Sequence, residues 1–172
     1  VNRQSRGFTA RLRLEGFSVS AFNRIRPSVD LFMNNRNHRK IIIIDGKTAV
    51  TGGMNIGDEY INLEDRFDSW MDCAAIFKGD CVQSFTVMFL NMWTFTTGKI
   101  LPPEKYIKET KEKHDGFILP YCDSPLNRGD PAEGIYMHML NTAQKYVYIT
   151  TPYLIIGNEM INALTLAAKS GI

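Results

Sequence analysis

Cysteine and histidine are both scarce in this 172-residue chain, three of each. Cys73, Cys81 and Cys122 form no C-x-x-C pair and are odd in number, which argues against a disulfide framework and suits a reducing compartment. The same scarcity leaves none of the usual zinc-ligand spacings, so no metal site is expected. A large charge of one sign is missing as well. The net charge is +2 and 44% of residues are hydrophobic, a balance that excludes a disordered chain and fits one globular domain or most of one. The Arg-rich opening has no apolar h-region and does not read as a signal peptide. Residues 81–98 carry no charge, but only ten of those 18 are apolar, with Gln83, Ser84, Asn91, Thr94, Thr96 and Thr97 among them. A bilayer span needs about 20 predominantly apolar residues. The stretch therefore reads as a buried core helix, and the chain as soluble.

The charge that is present is uneven. Residues 1–40 hold nine basic side chains against Glu15 and Asp30, which leaves +7 there and, against a total of +2, −5 for the remainder. A basic stretch that ends beside a chemical motif points to an anionic ligand; without the motif it would equally be a solvated surface.

Periodicity and turn chemistry divide the chain into short elements. Residues 5–15 carry an apolar stripe at Phe8, Leu12 and Leu14 that predicts a helix stopped by Gly16, with a strand over 17–22. Residues 23–37 form an irregular basic loop. The β-branched run 39–44, the pair Asp45-Gly46 and the run 47–51 predict a hairpin with a two-residue turn. Further strands are expected at 70–77, 117–121 and 147–151, and helices at 80–97, 131–145 and 158–169. The alternation argues for an α/β layered fold with a mixed, largely parallel sheet flanked by helices. Residues 99–116, rich in Lys and Glu around Pro102-Pro103, read as a charged linker or insertion between a first part, 1–98, and a second, 117–172.

The chemistry sits in His38-Arg39-Lys40-Ile41-Ile42-Ile43-Ile44-Asp45, followed after six residues by Gly52-Gly53-Met54-Asn55. In one-letter form this is H-x-K-x4-D-x6-G-G-x-N. From average residue frequencies the first three fixed positions arise by chance in about one chain in a hundred of this size, and the glycines and asparagine cut that by about several thousand. His38 and Lys40, two apart on a strand, project to one face. With a two-residue turn, Lys40 faces Thr51 and His38 faces Gly53, whose missing side chain leaves room for a ligand and exposes backbone N–H groups. Asn55 adds an amide donor. Imidazole, ammonium, amide and open backbone together make a phosphate-binding constellation. By the same geometry Asp45 lies at the far end of the hairpin and is a turn residue. His114 reads as solvated, His138 as a packed core-edge residue, and Tyr153 as a structural residue or part of a lipid entrance.

These residues resemble the phospholipase D superfamily, named HKD after its H-x-K-x4-D motif. Asn35-Arg36-Asn37-His38-Arg39-Lys40, Asp45-Gly46-Lys47, Gly52-Gly53-Met54-Asn55-Ile56-Gly57-Asp58-Glu59-Tyr60, Trp70-Met71-Asp72, Asp123-Ser124-Pro125 and Tyr148-Ile149-Thr150-Thr151-Pro152-Tyr153 are similar to the bacterial cardiolipin synthases within it. The resemblance implies a phospholipase D-like fold and a phosphodiester exchange that needs neither metal nor cofactor. One histidine attacks phosphorus and a second protonates the leaving alcohol. It implies His38, Lys40 and Asp45 as the catalytic set, Gly53 and Asn55 at the phosphate, and Asp72 either as the carboxylate that orients a histidine or as an ordinary polar strand residue.

The family's site uses two HKD motifs, and this chain has one: neither His114 nor His138 has a lysine two residues on. The resemblance therefore implies an internal piece of a longer enzyme, with membrane helices before Val1 and a second HKD half after Ile172. The expected partners are an anionic phospholipid (phosphatidylglycerol), the cell membrane through the full-length protein, and the second HKD half or, failing that, a homodimer. Single-motif members that pair as nucleases supply the alternative, a phosphodiesterase or nuclease dimer suited to the basic first forty residues. The lipid-type motifs disfavour nucleic acid. A folded module that binds phosphate without turnover is the third reading.

Overall fold

A computed structural model describes residues 7–23, 37–64, 69–113, 116–124, 129–151 and 154–172 of the protein. Two compact units divide it, Val1–Tyr121 and Cys122–Ile172.

In the first unit the β-branched run becomes β1 (Ile41–Ile44), which pairs antiparallel with β2 (Thr48–Gly52); β2 in turn pairs antiparallel with β3 (Ala74–Lys78). Asp45 and Gly46 both adopt left-handed φ, 54° and 66°, and the Lys47 amide donates to the Ile44 carbonyl at 3.0 Å. These are the torsions the Asp-Gly pair favours. The loop is nonetheless one residue longer than expected. Ile44 lies opposite Thr48 and Ile41 opposite Thr51, so every cross-strand partner is displaced by one from the predicted register. Burial explains the choice, because slipping a strand by one residue turns its side chains to the other face. The observed register sets Ala49 beside Ile43 on the covered face, and a methyl group there lets Val82 and Phe85 of the following helix approach.

That helix, α2 (Cys81–Thr97), follows the charge-free stretch and ends at Gly98, whose φ of 70° suits the left-handed cap. It lays Val82, Phe85, Thr86 and Leu90 inward. Ala49, Val82 and Phe85 form the core, with Ile41, Ile43, Phe77 and Cys81 packed around it, and the Phe77 and Phe85 rings lie 5.1 Å apart. On the opposite face of the sheet Ile42, Ile44 and Ile76 remain 54%, 51% and 71% exposed. The segment after α2 returns to the hairpin: the Tyr106 carbonyl occupies the space a Cβ on buried Gly46 would need, and the Thr110 hydroxyl bonds Asp80 at 3.0 Å. At the start of the unit, α1 (Phe8–Leu14) ends before Gly16; among the described residues it buries none of its own, Phe8 and Leu12 being half-buried and Leu14 exposed.

In the second unit α3 (Pro131–Thr142) packs on α4 (Asn158–Lys169) around Leu140, Met160, Ala163 and Ala167. Asp130 caps α3 by accepting from the Glu133 amide at 3.1 Å, and Pro131 takes the first turn, where its missing N–H is harmless.

The α/β class stands, but the expected parallel character does not. Among the described residues the sheet has three strands, all antiparallel, and 17–22, 117–121 and 147–151 form no strand. Each has strand-like composition, yet a strand exists only when a neighbour takes up its N–H and C=O groups. Phe117 and Tyr148 are correspondingly exposed. Two further boundaries move inward: pairing on the third strand begins at Ala74 instead of 70, and α3 stops at Thr142 before an extended Ala143. The loop expected at 23–37 lies, apart from Asn23 and Asn37, outside the described residues, as do His114, Pro152 and Tyr153.

Candidate functional site

The end of the sheet away from the hairpin tip carries most of the predicted residues. Asn37 anchors the approach to β1: its Oδ1 accepts from the Arg39 amide at 3.1 Å and its Nδ2 meets the Met92 sulfur on α2. His38 follows in an extended segment and is exposed. Lys40 is half-buried, and its ammonium donates to the His38 carbonyl at 2.8 Å. One step back along the β1–β2 register, Lys40 stands opposite Gly52, where the predicted hairpin had put it opposite Thr51 and His38 opposite Gly53.

The two glycines are required by close approach. A Cβ on Gly52 would come within 2.5 Å of the Cys73 carbonyl oxygen, and one on Gly53 would coincide with the Asp72 carboxylate. The Gly53 amide donates to the Cys73 carbonyl at 3.2 Å, so this N–H is already engaged. Asp72 is held at two points, Oδ1 accepting from the Cys73 amide at 2.7 Å and Oδ2 from the Trp70 indole at 3.1 Å. Trp70 is itself clamped by Asn62, which accepts from the Trp70 amide at 2.7 Å and donates to its carbonyl at 3.0 Å. The Tyr60 ring meets Trp70 edge-on at 4.9 Å, and the Tyr60 hydroxyl accepts from Asn55 Nδ2 at 2.5 Å. A chain of contacts therefore runs Asn55–Tyr60–Trp70–Asp72, with hydrogen bonds at its two ends and an aromatic edge contact between them.

The structure thus brings Gly53 and Asp72 together, sets Lys40 opposite Gly52, connects Asn55 to Asp72 through Tyr60 and Trp70, and leaves His38 exposed. No hydrogen bond joins Asp72 to the His38 imidazole among the described residues. Asp45 stands apart. It sits in the hairpin turn seven residues from His38, about 20 Å along an extended chain, and lines a cavity of about 510 Å³ with Phe89, Leu90 and Tyr106. Tyr60, Asn62 and Trp70 were not singled out as site residues. The signal for Trp70 was its position two before Asp72, the spacing that puts two strand residues on one face. His138, expected at a core edge, is exposed on α3. Among the described residues no three His, Cys, Asp or Glu side chains gather so as to hold a metal ion.

Burial is the larger influence on Lys40 and pulls its pKa below the ordinary 10.5; the Asp72 charge opposes this and pushes it up. The folded chain therefore binds this proton less tightly than the unfolded chain. In the pH window just below 10.5 the unfolded state carries more proton, so stability rises with pH across that window. The urea midpoint of the native chain is expected to gain on that of Lys40→Met as pH climbs toward 10.5; a difference that stays constant with pH would contradict the desolvation.

Comparison with known proteins agrees with the motif resemblance. Over 171 residues, 98% of this chain, it is 34% identical to cardiolipin synthase 2 of Bacillus anthracis and 33% identical to the cardiolipin synthase of Halalkalibacterium halodurans, covering 33% and 34% of those proteins. It is also 44% identical over 169 residues to an uncharacterized protein of Streptococcus mutans serotype c, covering 96% of this chain and 36% of that one. The chain spans about a third of the length of these curated relatives. No family model and no solved structure matches it. The resemblance carried by the motifs is thus a homology to bacterial cardiolipin synthases along nearly the whole chain.

Proposed function

We propose that this chain is the segment of a cardiolipin synthase that supplies one half of its phosphodiester-exchange site. One observation carries the reading: His38, Lys40, Gly53 and Asn55, the residues of the phosphate motif, lie at one end of one small sheet in a chain homologous to cardiolipin synthases. In the reaction an imidazole nitrogen attacks the phosphorus of phosphatidylglycerol. A P–N bond forms, the P–O bond to the glycerol headgroup breaks, and the departing oxygen takes a proton from a second histidine. The terminal hydroxyl of a second phosphatidylglycerol then attacks the phosphohistidine, returns its proton to that second histidine and releases the first. Two phosphatidylglycerols become one cardiolipin and one glycerol. His38 serves as the nucleophile or as its acid/base partner, and the other histidine comes from a second HKD half, in the same full-length protein or a second copy.

Lys40 and Asn55 hold the non-bridging phosphate oxygens, where an ammonium and an amide stabilise charge that grows in the transition state. Asp45, at the opposite end of β1, keeps the hairpin turn. Phospholipid is the substrate class and a membrane surface the place of reaction. No helix among the described residues is long and apolar enough to cross a membrane. The test is to supply the full-length protein with phosphatidylglycerol vesicles and quantify lipid and glycerol. Cardiolipin and glycerol in equal amounts are expected; phosphatidic acid alone, or cleavage of DNA in place of lipid, would overturn the reading.

A further inference from the structure

The loop that leaves β2 carries Asn55, and its side-chain amide has a single partner among the described residues: Nδ2 donates to the Tyr60 hydroxyl at 2.5 Å. A primary amide left to itself turns readily about its last torsion and can present its carbonyl as well as its nitrogen. Toward an anion the two ends act oppositely, so an amide that is to hold a phosphate oxygen needs something to fix its plane. Tyr60 is equipped for this. It sits on a one-turn 3-10 helix, Asp58–Ile61, where its own amide donates to the Gly57 carbonyl at 3.1 Å. Its half-buried ring meets Trp70 edge-on, with centroids 4.9 Å apart and planes at 78°, inside the range in which aromatic pairs attract. Asn62 closes the frame: its φ of 58° turns the chain out of that helix, and its side-chain amide bonds both the N–H and the carbonyl of Trp70. The hydroxyl is thus carried by a ring whose supports do not involve Asn55.

We propose that Tyr60 is a positioning residue for Asn55: its hydroxyl binds the amide nitrogen and fixes the plane from which the second N–H reaches a phosphate oxygen. What Asn55 does there rests on the functional reading above; where its amide is held does not. The hydroxyl takes one Nδ2 proton and leaves the other. A phenylalanine ring would fill the same space against Trp70 and take nothing from the amide. The ring therefore carries the packing and the oxygen carries the positioning. The influence of Tyr60 on the phosphate passes through Asn55.

The experiment reads the Asn55 side-chain amide in 1H–15N spectra of the chain, its proton pair identified by loss in Asn55→Ala. In the native chain the pair should be widely split and show Overhauser contacts to the Tyr60 ring protons. In Tyr60→Phe the splitting should collapse while the Trp70 indole signal stays in place. Activity is then followed in the full-length protein with phosphatidylglycerol vesicles. Tyr60→Phe should lower kcat about tenfold, the worth of one hydrogen bond, with KM little changed, and Asn55→Ala should lower it about 10²-fold. Tyr60→Phe placed on Asn55→Ala should cost nothing further, because its effect has no other route. An amide pair without contacts to the Tyr60 ring, a pair unchanged in Tyr60→Phe, or losses that multiply in the double variant would overturn the proposal. The contacts in the native chain need no variant and decide the matter where Tyr60→Phe fails to fold. The spectra need no substrate, so the outcome is separate from the functional reading. An unmoved amide pair in an active cardiolipin synthase sinks the positioning role alone, and a collapsed pair in a protein that makes no cardiolipin sinks the enzyme assignment alone.

Discussion

Replacing His38 by alanine in the full-length protein is expected to lower cardiolipin formation by about 10⁴-fold or more, the loss seen when an essential member of a covalent-catalysis unit is removed. In the proposed exchange a P–N bond forms, and among the described residues no neighbour offers a nitrogen in place of the imidazole. Lys40 donates to a backbone carbonyl and Asp72 accepts from an amide and an indole, so neither stands ready to attack in place of the imidazole. His38 is exposed and its side chain packs into no core, so the variant should fold with native stability and the loss will be chemical. Quenching the native enzyme in alkali, where phosphoramidates survive, and recording 31P spectra would show whether lipid phosphate is attached to this histidine. Cardiolipin synthesis surviving in His38→Ala would refute the assignment of the site. Loss of turnover with the phosphohistidine still trapped on the other half would make His38 the acid/base partner.

The largest effect on stability is expected from Phe85→Ala, about 3–5 kcal/mol by analogy with other buried aromatic truncations. Phe85 is 7% exposed and its ring lies 5.1 Å from that of Phe77, joining α2 to β3 over Ala49 and Val82. Among the described residues the cluster around Phe85 has two other buried members, Ala49 and Val82, so there is little side-chain mass to collapse into the hole. A loss of that size is a large share of the roughly 5–15 kcal/mol that holds a domain together. Urea unfolding followed through Trp70 and Trp93 fluorescence would measure it. Ile76→Thr, on the exposed side of the same sheet, makes the comparison, and a change within about 0.5 kcal/mol is expected there. Equal losses for the two would mean that α2 does not cover the sheet as described.

The turn torsions at Asp45-Gly46 and the span of α2 were legible from residue types and spacing, because each depends on atoms within a few positions along the chain. The glycines at 52 and 53 were legible as an opening, though the reason for them was not: Gly52 makes way for the Cys73 carbonyl and Ala74, and Gly53 for the Asp72 carboxylate. Tyr60 and Asn62 stayed hidden because each acts through Trp70, which they meet from eight to ten residues away, while Trp70 itself carried only the local signal of its spacing from Asp72.

Local chemistry alone was enough to mark the turn at Asp45-Gly46 and the helices α2, α3 and α4. Three-dimensional packing decided the rest. The hairpin adopted the register that turns Ala49 toward Val82, because burying a small residue beneath a helix outweighs the preference for a two-residue loop. Residues 17–22, 117–121 and 147–151 have strand-like composition and no ladder, because a strand's hydrogen bonds belong to its neighbour as much as to itself. Asp72 came beside Gly53 only once β2 and β3 lay side by side, for their separation in sequence says nothing about a meeting across the ladder.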